Sequence, residues 1–519
     1  MLIFQAIGLG YRYDAQLDPL FSGLELLLYT GEKVALLGAN GAGKSTLLGL
    51  IAGTLPVQEG QLIRHTDPLY LEQDDTLSGD APVLEAVLAT YPDLGPLRAE
   101  MQMLEADGVP DPLRYADLLS LFAERGGYEV ETELQSALMT LGYDSDVLTR
   151  PLTSFSGGEQ RLLRLASAFV RPGRLMLLDE PTNYLDERAT EQLASWIRAS
   201  EATCLIVSHD RKFLDETVTD VLELERSSLT RYSGTYSSFW DQKENDYQER
   251  VRRSGRLKRE ITALKEQERT YKVWGARKEK EKSGAADRGF IGARAARLMK
   301  RGIQAKERLQ DRIVDLEDAR PWIEKRYSVA FEEVQLPTGV CLSAREVSVM
   351  QERVSITVEY GERLALVGAN GSGKTTLLRK LLDPNGSTIV WDSRAKIGYL
   401  PQLWDETLDA RTPESLFVKE QHQRARLLLG AFNVSGSHFA EPLSELSEGQ
   451  KRKVALVRLI LQEPNVLVLD EPTTHLDYMS VEMLEAALQR YSGTLILVSH
   501  DRYLLERTTT RHLELQKEG

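Results

Sequence analysis

The stretch GEKVALLGANGAGKST at Gly31–Thr46 returns as GERLALVGANGSGKTT at Gly361–Thr376. The apolar run Val34–Leu37 precedes the first Gly-rich segment and a helical pattern follows it. This strand–loop–helix context predicts a phosphate-binding loop at Gly38–Ser45, repeated at Gly368–Thr375. Its glycines (Gly38, Gly41 and Gly43; Gly368, Gly371 and Gly373) let backbone N–H groups wrap phosphate oxygens. Lys44 and Lys374 neutralise charge on the β- and γ-phosphates, and Ser45 and Thr375 offer hydroxyls to Mg²⁺. Asn40, Asn370, Thr46 and Thr376 complete the two candidate loops.

Working outward, two more blocks recur in the same order. LMLLDEPTNYLD at Leu175–Asp186 matches VLVLDEPTTHLD at Val466–Asp477, and LIVSHDRKFL at Leu205–Leu214 matches LILVSHDRYLL from Leu495. The chain is therefore an internal duplication. Lys44 and Lys374 lie 330 positions apart, whereas Ser156/Ser447, Glu180/Glu471 and His209/His500 are each 291 apart. The first half thus carries about 38 extra residues before Ser156. The Leu-, Ala- and Glu-rich segment at about 81–150 reads as a helical insertion.

Leu175–Leu178 and Val466–Leu469 read as buried strands, each ending in Asp-Glu. Asp179 and Asp470 are placed to hold Mg²⁺. Glu180 and Glu471 sit one residue on, where a carboxylate can orient attacking water. Phosphoryl transfer needs little beyond positioning and charge neutralisation. Both glutamates are present, so two competent sites are expected. Ser156-Gly157-Gly158 and Ser447-Glu448-Gly449 open helical runs about 23 residues before Asp-Glu. Free N–H groups at a helix start attract anions. His209 and His500 follow β-runs within Ser-His-Asp-Arg, where an imidazole can sense a γ-phosphate. Adjacent residues of one strand cannot converge as a hydrolase triad. Tyr13, with Tyr11, precedes the first phosphate loop and can stack on adenine; the second half has Val347–Met350 there and no aromatic.

Composition narrows the class further. The net charge of −14 argues against nonspecific nucleic-acid binding, yet Asp241–Lys325 carries 24 basic and 16 acidic residues, leaving −22 on the remainder. An acidic body with one basic arm suggests a targeted polyanion contact. In that arm, Leu257, Ile261 and Leu264 form one narrow apolar seam, and Leu309, Ile313 and Leu316 another. Matched seams predict an antiparallel helical hairpin, with a first helix over Trp240–Lys272. The tip, Lys272–Arg308, has 12 basic and 4 acidic residues plus Gly284, Gly289, Gly292 and Gly302, which suits RNA backbone contact. Two cysteines, Cys204 and Cys341, exclude a disulfide framework or a four-cysteine metal site. No run approaches 18 apolar residues, and MLIFQAIGLGYRYD reads as a first strand rather than a leader, so a cytoplasmic protein is expected.

Taken together, these motifs resemble the ATP-binding-cassette superfamily: phosphate loop, Gln loop (Gln73, Gln402), signature (Ser156, Ser447), Asp-Glu strand, D-loop (Asp186, Asp477) and switch His. The resemblance covers roughly 430 residues. It implies an α/β fold, with two P-loop cassettes in tandem joined by an α-helical hairpin: residues 1–239, 240–326 and 327–519. It further implies head-to-tail pairing within one monomeric chain. One site would combine Lys44, Ser45, Gln73, Asp179, Glu180 and His209 with Ser447 and Gly449. The other would combine Lys374, Thr375, Gln402, Asp470, Glu471 and His500 with Ser156 and Gly158. Ser45, Gln73 and Asp179, and Thr375, Gln402 and Asp470, would surround Mg²⁺ beside ATP. Glu448 stands where Gly is usual, Phe155 where Leu is usual, and Tyr184 where the other half has His475.

The charged linker and the run FLDETVTDVLELERSSLTRYSGTYSSF after His209 are similar to the ABC-F family of translation factors. That similarity implies a ribosome partner (rRNA and tRNA), binding near the exit-site tRNA, and linker action on peptidyl-tRNA and the peptidyl-transferase centre. Asp287–Gly292 and Ala295–Arg301 are similar to the linkers of antibiotic-resistance members. The alternative is the duplicated ATPase subunit of a sugar importer, which would have a short linker and a membrane permease partner; no permease is expected here.

Overall fold

The computed structural model describes residues 1–13, 18–72, 75–77, 79–106, 108–109, 111–171, 175–183, 185, 187–225, 228–282, 305, 308–319, 329–350, 352–368, 371–383 and 388–515. Gln73, Tyr184, Asp186, Asn370 and most of the linker tip lie outside them. The chain forms two compact units, one of Met1–Ser237 with Tyr327–Gly519 and one of Ser238–Arg326.

In the first half, β1 (Leu2–Tyr11), β2 (Phe21–Tyr29) and β4 (Glu59–Arg64) form an antiparallel sheet with β1 in the middle. β3 (Lys33–Leu37) enters a second sheet and is followed by α1 (Lys44–Ala52). That sheet adds β5 (Pro68–Leu71), β6 (Leu175–Asp179), β7 (Thr203–Val207), β8 (Asp220–Glu225) and β9 (Ser228–Ser233). Its order is β5-β6-β7-β3-β8-β9, parallel except for β9. The apolar runs of β3, β6 and β7 are buried at every position, as a parallel sheet covered on both faces requires.

The insertion folds as α2 (Val83–Ala89), α3 (Gly95–Ala106), α4 (Pro112–Glu124) and α5 (Gly127–Thr140). Leu88, Leu94, Met101, Leu118, Phe122 and Val130 give it a core of its own. Leu134 and Leu138 of α5 instead pack with Leu163 and Ala166 of α6 (Gly157–Val170), the helix after Ser156. Side chains of this size contribute about 1.5–3 kcal/mol each when fully buried. The insertion is thus a packed helical subdomain. α7 (Glu187–Ala199) and α8 (Arg211–Thr217) complete the half.

The linker unit is dominated by α9 (Tyr236–Lys282), 47 residues long, which starts earlier and ends later than the 33 residues expected. Gly and Pro are scarce along this span, so nothing in it halts the helix. The described residues 308–318 form α10. Ile261, Ile313 and Leu316 are buried together, with Leu257 and Leu264 against them. Glu268 accepts from Gln310, while Lys265 pairs with Glu317 further along. The partner advances as α9 is read backwards, so the two helices run antiparallel.

The second half repeats the plan. β10 (Val340–Val349), β11 (Glu352–Glu359) and β13 (Ile389–Trp391) are antiparallel about β10. β12 (Arg363–Val367), β14 (Ile397–Leu400), β15 (Val466–Asp470), β16 (Thr494–Val498) and β17 (Arg511–Glu514) make a parallel sheet, ordered β14-β15-β16-β12-β17. α11 (Lys374–Leu382) follows the loop after β12, and α12 (His422–Ala431) stands where the first half has its insertion. α13 (Glu448–Leu461), α14 (Tyr478–Arg490) and α15 (Arg502–Thr508) follow.

Candidate functional site

Each phosphate loop turns on left-handed glycines. Gly41 and Gly43 have φ of 79° and 98°, and Gly371 and Gly373 of 79° and 92°. A Cβ on Gly38 would come within 2.8 Å of Leu224 O. Lys44 Nζ donates to Gly38 O at 2.9 Å, and Lys374 Nζ to Gly368 O at 2.7 Å, so each ammonium is held over its own loop. Burial lowers the pKa of both lysines. Thr375 Oγ1 donates to Asp470 Oδ1 at 3.3 Å, and Ser45 likewise bonds Asp179. Hydroxyl and aspartate therefore converge beside each loop. Gln402 lies on the segment just after β14. Tyr13 donates to or accepts from Thr46 Oγ1 at 2.7 Å, is 42% exposed, and meets the buried Tyr11 edge-on at 5.2 Å. Of the two tyrosines, Tyr13 is the one open to a flat ligand.

Glu180 and Glu471 both adopt φ of 47°, a left-handed conformation rare for side-chain-bearing residues. Each backbone N–H is pinned to the neighbouring strand, Glu180 to Val207 O and Glu471 to Val498 O, both at 2.8 Å. His209 N–H donates to Glu180 Oε2 at 3.2 Å, with the ring Nε2 3.3 Å from Oε1. His500 and Glu471 repeat this at 3.1 and 3.4 Å. Burial pushes the Glu180 carboxyl up to about 8, against the pull of Lys44, and raises Glu471 as well. Burial, and then the charge of Lys44, hold His209 well below the usual imidazole range, so the ring is neutral. A neutral imidazole can donate one hydrogen bond and accept another.

Sequence reasoning missed two arginines. Arg161, buried on α6, donates to Asp179 O at 3.3 Å and Glu180 O at 3.2 Å. Arg452 on α13 donates to Asp470 O at 2.8 Å and Glu471 O at 2.6 Å. Each guanidinium ties the signature helix to the Asp-Glu carbonyls, fixing the strained turn. The signal available was a pair of arginines at the same 291-residue offset as the motifs.

The halves also touch. Asn40 Nδ2 of the first phosphate loop donates to His475 O of the second half at 2.9 Å. A Cβ on Gly449 would lie 2.6 Å from His475 O and 3.0 Å from Asn40 Nδ2. The second signature thus sits close to the first loop, as Ser447 caps α13 through Gln450 N–H. Ser156 caps α6 in the same way through Glu159 N–H, and Gly158 lies in its first turn. Arg211 of the first half is 2% exposed and pairs with Glu482, Glu485 and Asp501 of the second at 2.9, 2.6 and 3.0 Å. Its counterpart Arg502 instead reaches the exposed Glu187 and Glu191.

The residues suit a magnesium nucleotide. Glu180 Oε1, Asp470 Oδ2 and Glu471 Oε1 are buried atoms without a hydrogen-bond partner. Among the described residues no cluster of three or more His, Cys, Asp or Glu could hold a metal alone. Mg²⁺ is commonly held by one or two protein oxygens plus phosphates and water, so one aspartate and one hydroxyl per loop fit it.

The family model described as ABC transporter matches residues 21–183 and 351–474. YdiF of Bacillus subtilis (strain 168) is 33% identical over 539 residues, spanning 99% of this chain and 80% of its own length. The ribosome protection protein VmlR of the same organism is 31% identical over 524 residues, covering 98% and 86%. ABC transporter F family member 4 of Arabidopsis thaliana is 31% identical over 540 residues, covering 96% and 71%. A solved structure titled RNase-L Inhibitor shares the fold, with a TM-score of 0.56 at 18% identity over 98% of this chain and 87% of that one. Fold and site define a twin-cassette P-loop ATPase. Within that class, the chain belongs to the ABC-F family of ATP-binding-cassette proteins. No helix among the described residues is long and apolar enough to cross a membrane.

Proposed function

We propose that this ATPase is a cytoplasmic translation factor that binds the ribosome near the exit-site tRNA. ATP binding draws the two halves together, and the closed form engages the ribosome. The basic linker tip then acts on peptidyl-tRNA and the peptidyl-transferase centre, and hydrolysis releases the protein. Ribosome protection against a drug of the lincosamide, pleuromutilin or streptogramin type is the outcome we propose for that action. The observation that carries this reading is the 31% identity, over 98% of the chain, with a relative named a ribosome protection protein. The basic tip, with 12 basic against 4 acidic residues, supports it, because RNA affinity grows with charge neutralisation.

At each site, Lys44 or Lys374 binds the β- and γ-phosphates of the substrate. Glu180 or Glu471 orients water, and His209 or His500 contacts the γ-phosphate. Ser45 and Asp179, or Thr375 and Asp470, with Gln73 and Gln402 nearby, would hold Mg²⁺, which supplies charge neutralisation on the phosphates. Ser447 with Gly449, and Ser156 with Gly158, close the opposite faces. Tyr13 stacks on adenine in the first site.

The test is the full chain carrying Glu180→Gln and Glu471→Gln. It is expected to bind ATP, to lose at least about a hundredfold in turnover, and to co-sediment with ribosomes when ATP is present. Normal turnover would refute the roles of the glutamates. Absence from the ribosome pellet would refute the ribosome reading.

A further inference from the structure

The two signature helices, α6 and α13, differ at one charged position of the repeat. In the second half, Lys453 lies on α13 and is 5% exposed. Its ammonium is 2.6 Å from Asp477 Oδ2, and Asp477 is itself 3% exposed. The other Asp477 oxygen accepts from Ser480 N–H at 2.8 Å and caps α14. Between this anchor and Thr473 the chain makes a tight turn: Leu476 is fully buried and His475 takes a left-handed φ of 63°. The outer edge of that turn is the His475 carbonyl, which accepts from Asn40 of the first phosphate loop. The Asp477 carboxylate is close enough to act electrostatically on Lys44 and His209.

In the first half, the position 291 residues earlier is Leu162, a buried apolar side chain on α6. Leu162 brings no ammonium to the matching position of α6. The repeat is therefore broken at one charged position, and the break falls behind a turn that touches the first site.

We propose that Lys453 is a positioning residue for the first nucleotide site alone. By pairing with Asp477 in a dry setting, it fixes the Thr473–Asp477 turn in the conformation that meets Asn40 and faces Lys44 and His209. The second site, served by the half that carries Leu162, works without an ammonium at that position of the signature helix. A buried pair of this kind adds little net stability, yet removing one partner leaves an uncompensated charge, and the turn must then rearrange. Displacing groups by about 1 Å at a phosphoryl-transfer site is enough to slow it by one to two orders of magnitude.

The inference rests on the assignment of Glu180 and Glu471 to the two sites, and the experiment separates the two ideas. Lys453→Met is placed in the full chain in a Glu471→Gln background, which leaves the first site competent, and in a Glu180→Gln background, which leaves the second. ADP formed from pre-bound ATP is followed in a single round. In the Glu471→Gln background the rate falls at least about tenfold; in the Glu180→Gln background it changes less than about twofold. Lys453→Arg, which keeps the charge, restores most of the first-site rate. Lys453→Met with Asp477→Asn, which leaves no orphaned carboxylate, slows the first site no more than either change alone. Equal loss at both sites, or multiplicative losses in the double variant, overturns the proposal and leaves the glutamate assignment standing. Absence of any glutamate dependence, or loss of all ADP formation in either single-glutamine background, overturns that assignment and the inference with it.

Discussion

Arg211→Met removes the one guanidinium that three second-half carboxylates share at the contact between the cassettes. Arg211 is 2% exposed, and Glu482, Glu485 and Asp501 have side chains 13, 5 and 10% exposed, so water screens the cluster little. After the change, the nearest remaining cation is Arg507, 2.7 Å from Glu485 Oε1. Breaking a buried pair from one side costs about 3–5 kcal/mol. At roughly 2–4 °C per kcal/mol for large domains, the cassette unfolding transition should fall by about 10 °C. The assay is scanning calorimetry of the apoprotein. Arg211→Lys, which keeps the charge and loses the fork, should fall about half as far. The loss should also depend on pH. Burial already holds Glu482 above the usual carboxylate range, and removing Arg211 raises it further. An acid with a raised folded-state pKa penalises the fold most when ionised, so the deficit is full above that raised value and shrinks as pH falls through it. A deficit under about 1 kcal/mol, or one that does not change with pH, would refute the reasoning.

Two further predictions follow from other groups. Burial pushes Asp210 up to about 6, with Asp501 adding repulsion, so its ionised form weighs on the fold above that pH and is relieved below it. Asp210→Asn, which retains a capping side chain for Phe213 N–H, should raise the melting temperature relative to the parent by about 2 °C more at pH 7.5 than at pH 4.5. In the linker, replacing Arg294, Arg297, Lys300 and Arg301 with Glu should weaken ribosome co-sedimentation by at least about tenfold while leaving ATP turnover without ribosomes unchanged.

Much of this architecture was readable because P-loop chemistry is local. Gly41, Gly43 and Lys44 act within a few residues, and the apolar runs Val34–Leu37 and Leu175–Leu178 announce buried parallel strands directly. The repeat, offset by 330 residues at the phosphate loop and by 291 from Ser156 onward, then transferred each reading to the second half. What escaped was the set of buried polar contacts. Arg161 and Arg452 sit in helical sequence that looks like any charged surface, and only the packing of α6 and α13 under the Asp-Glu strands reveals their carbonyl partners. Arg211 and Lys453 escaped for the same reason: their ion pairs, with partners 271 to 290 positions away for Arg211 and 24 for Lys453, are made by tertiary packing and leave no periodic trace. The linker helix was placed correctly by its seam but drawn too short, because the added ends, Tyr236–Phe239 and Val273–Lys282, hold no Pro and a single Gly, Gly275, and so give no firm stop signal.

The left-handed backbone at Glu180 and Glu471 bears on how these positions can be probed. Glutamine inherits the same torsional cost, about 1–3 kcal/mol per residue, so it replaces the carboxyl and changes little else. Glycine would adopt that geometry freely and would slacken the strand end while deleting the carboxylate. A rate lost in a glycine variant would therefore mix chemistry with mechanical relaxation, whereas the amide variant isolates the chemistry.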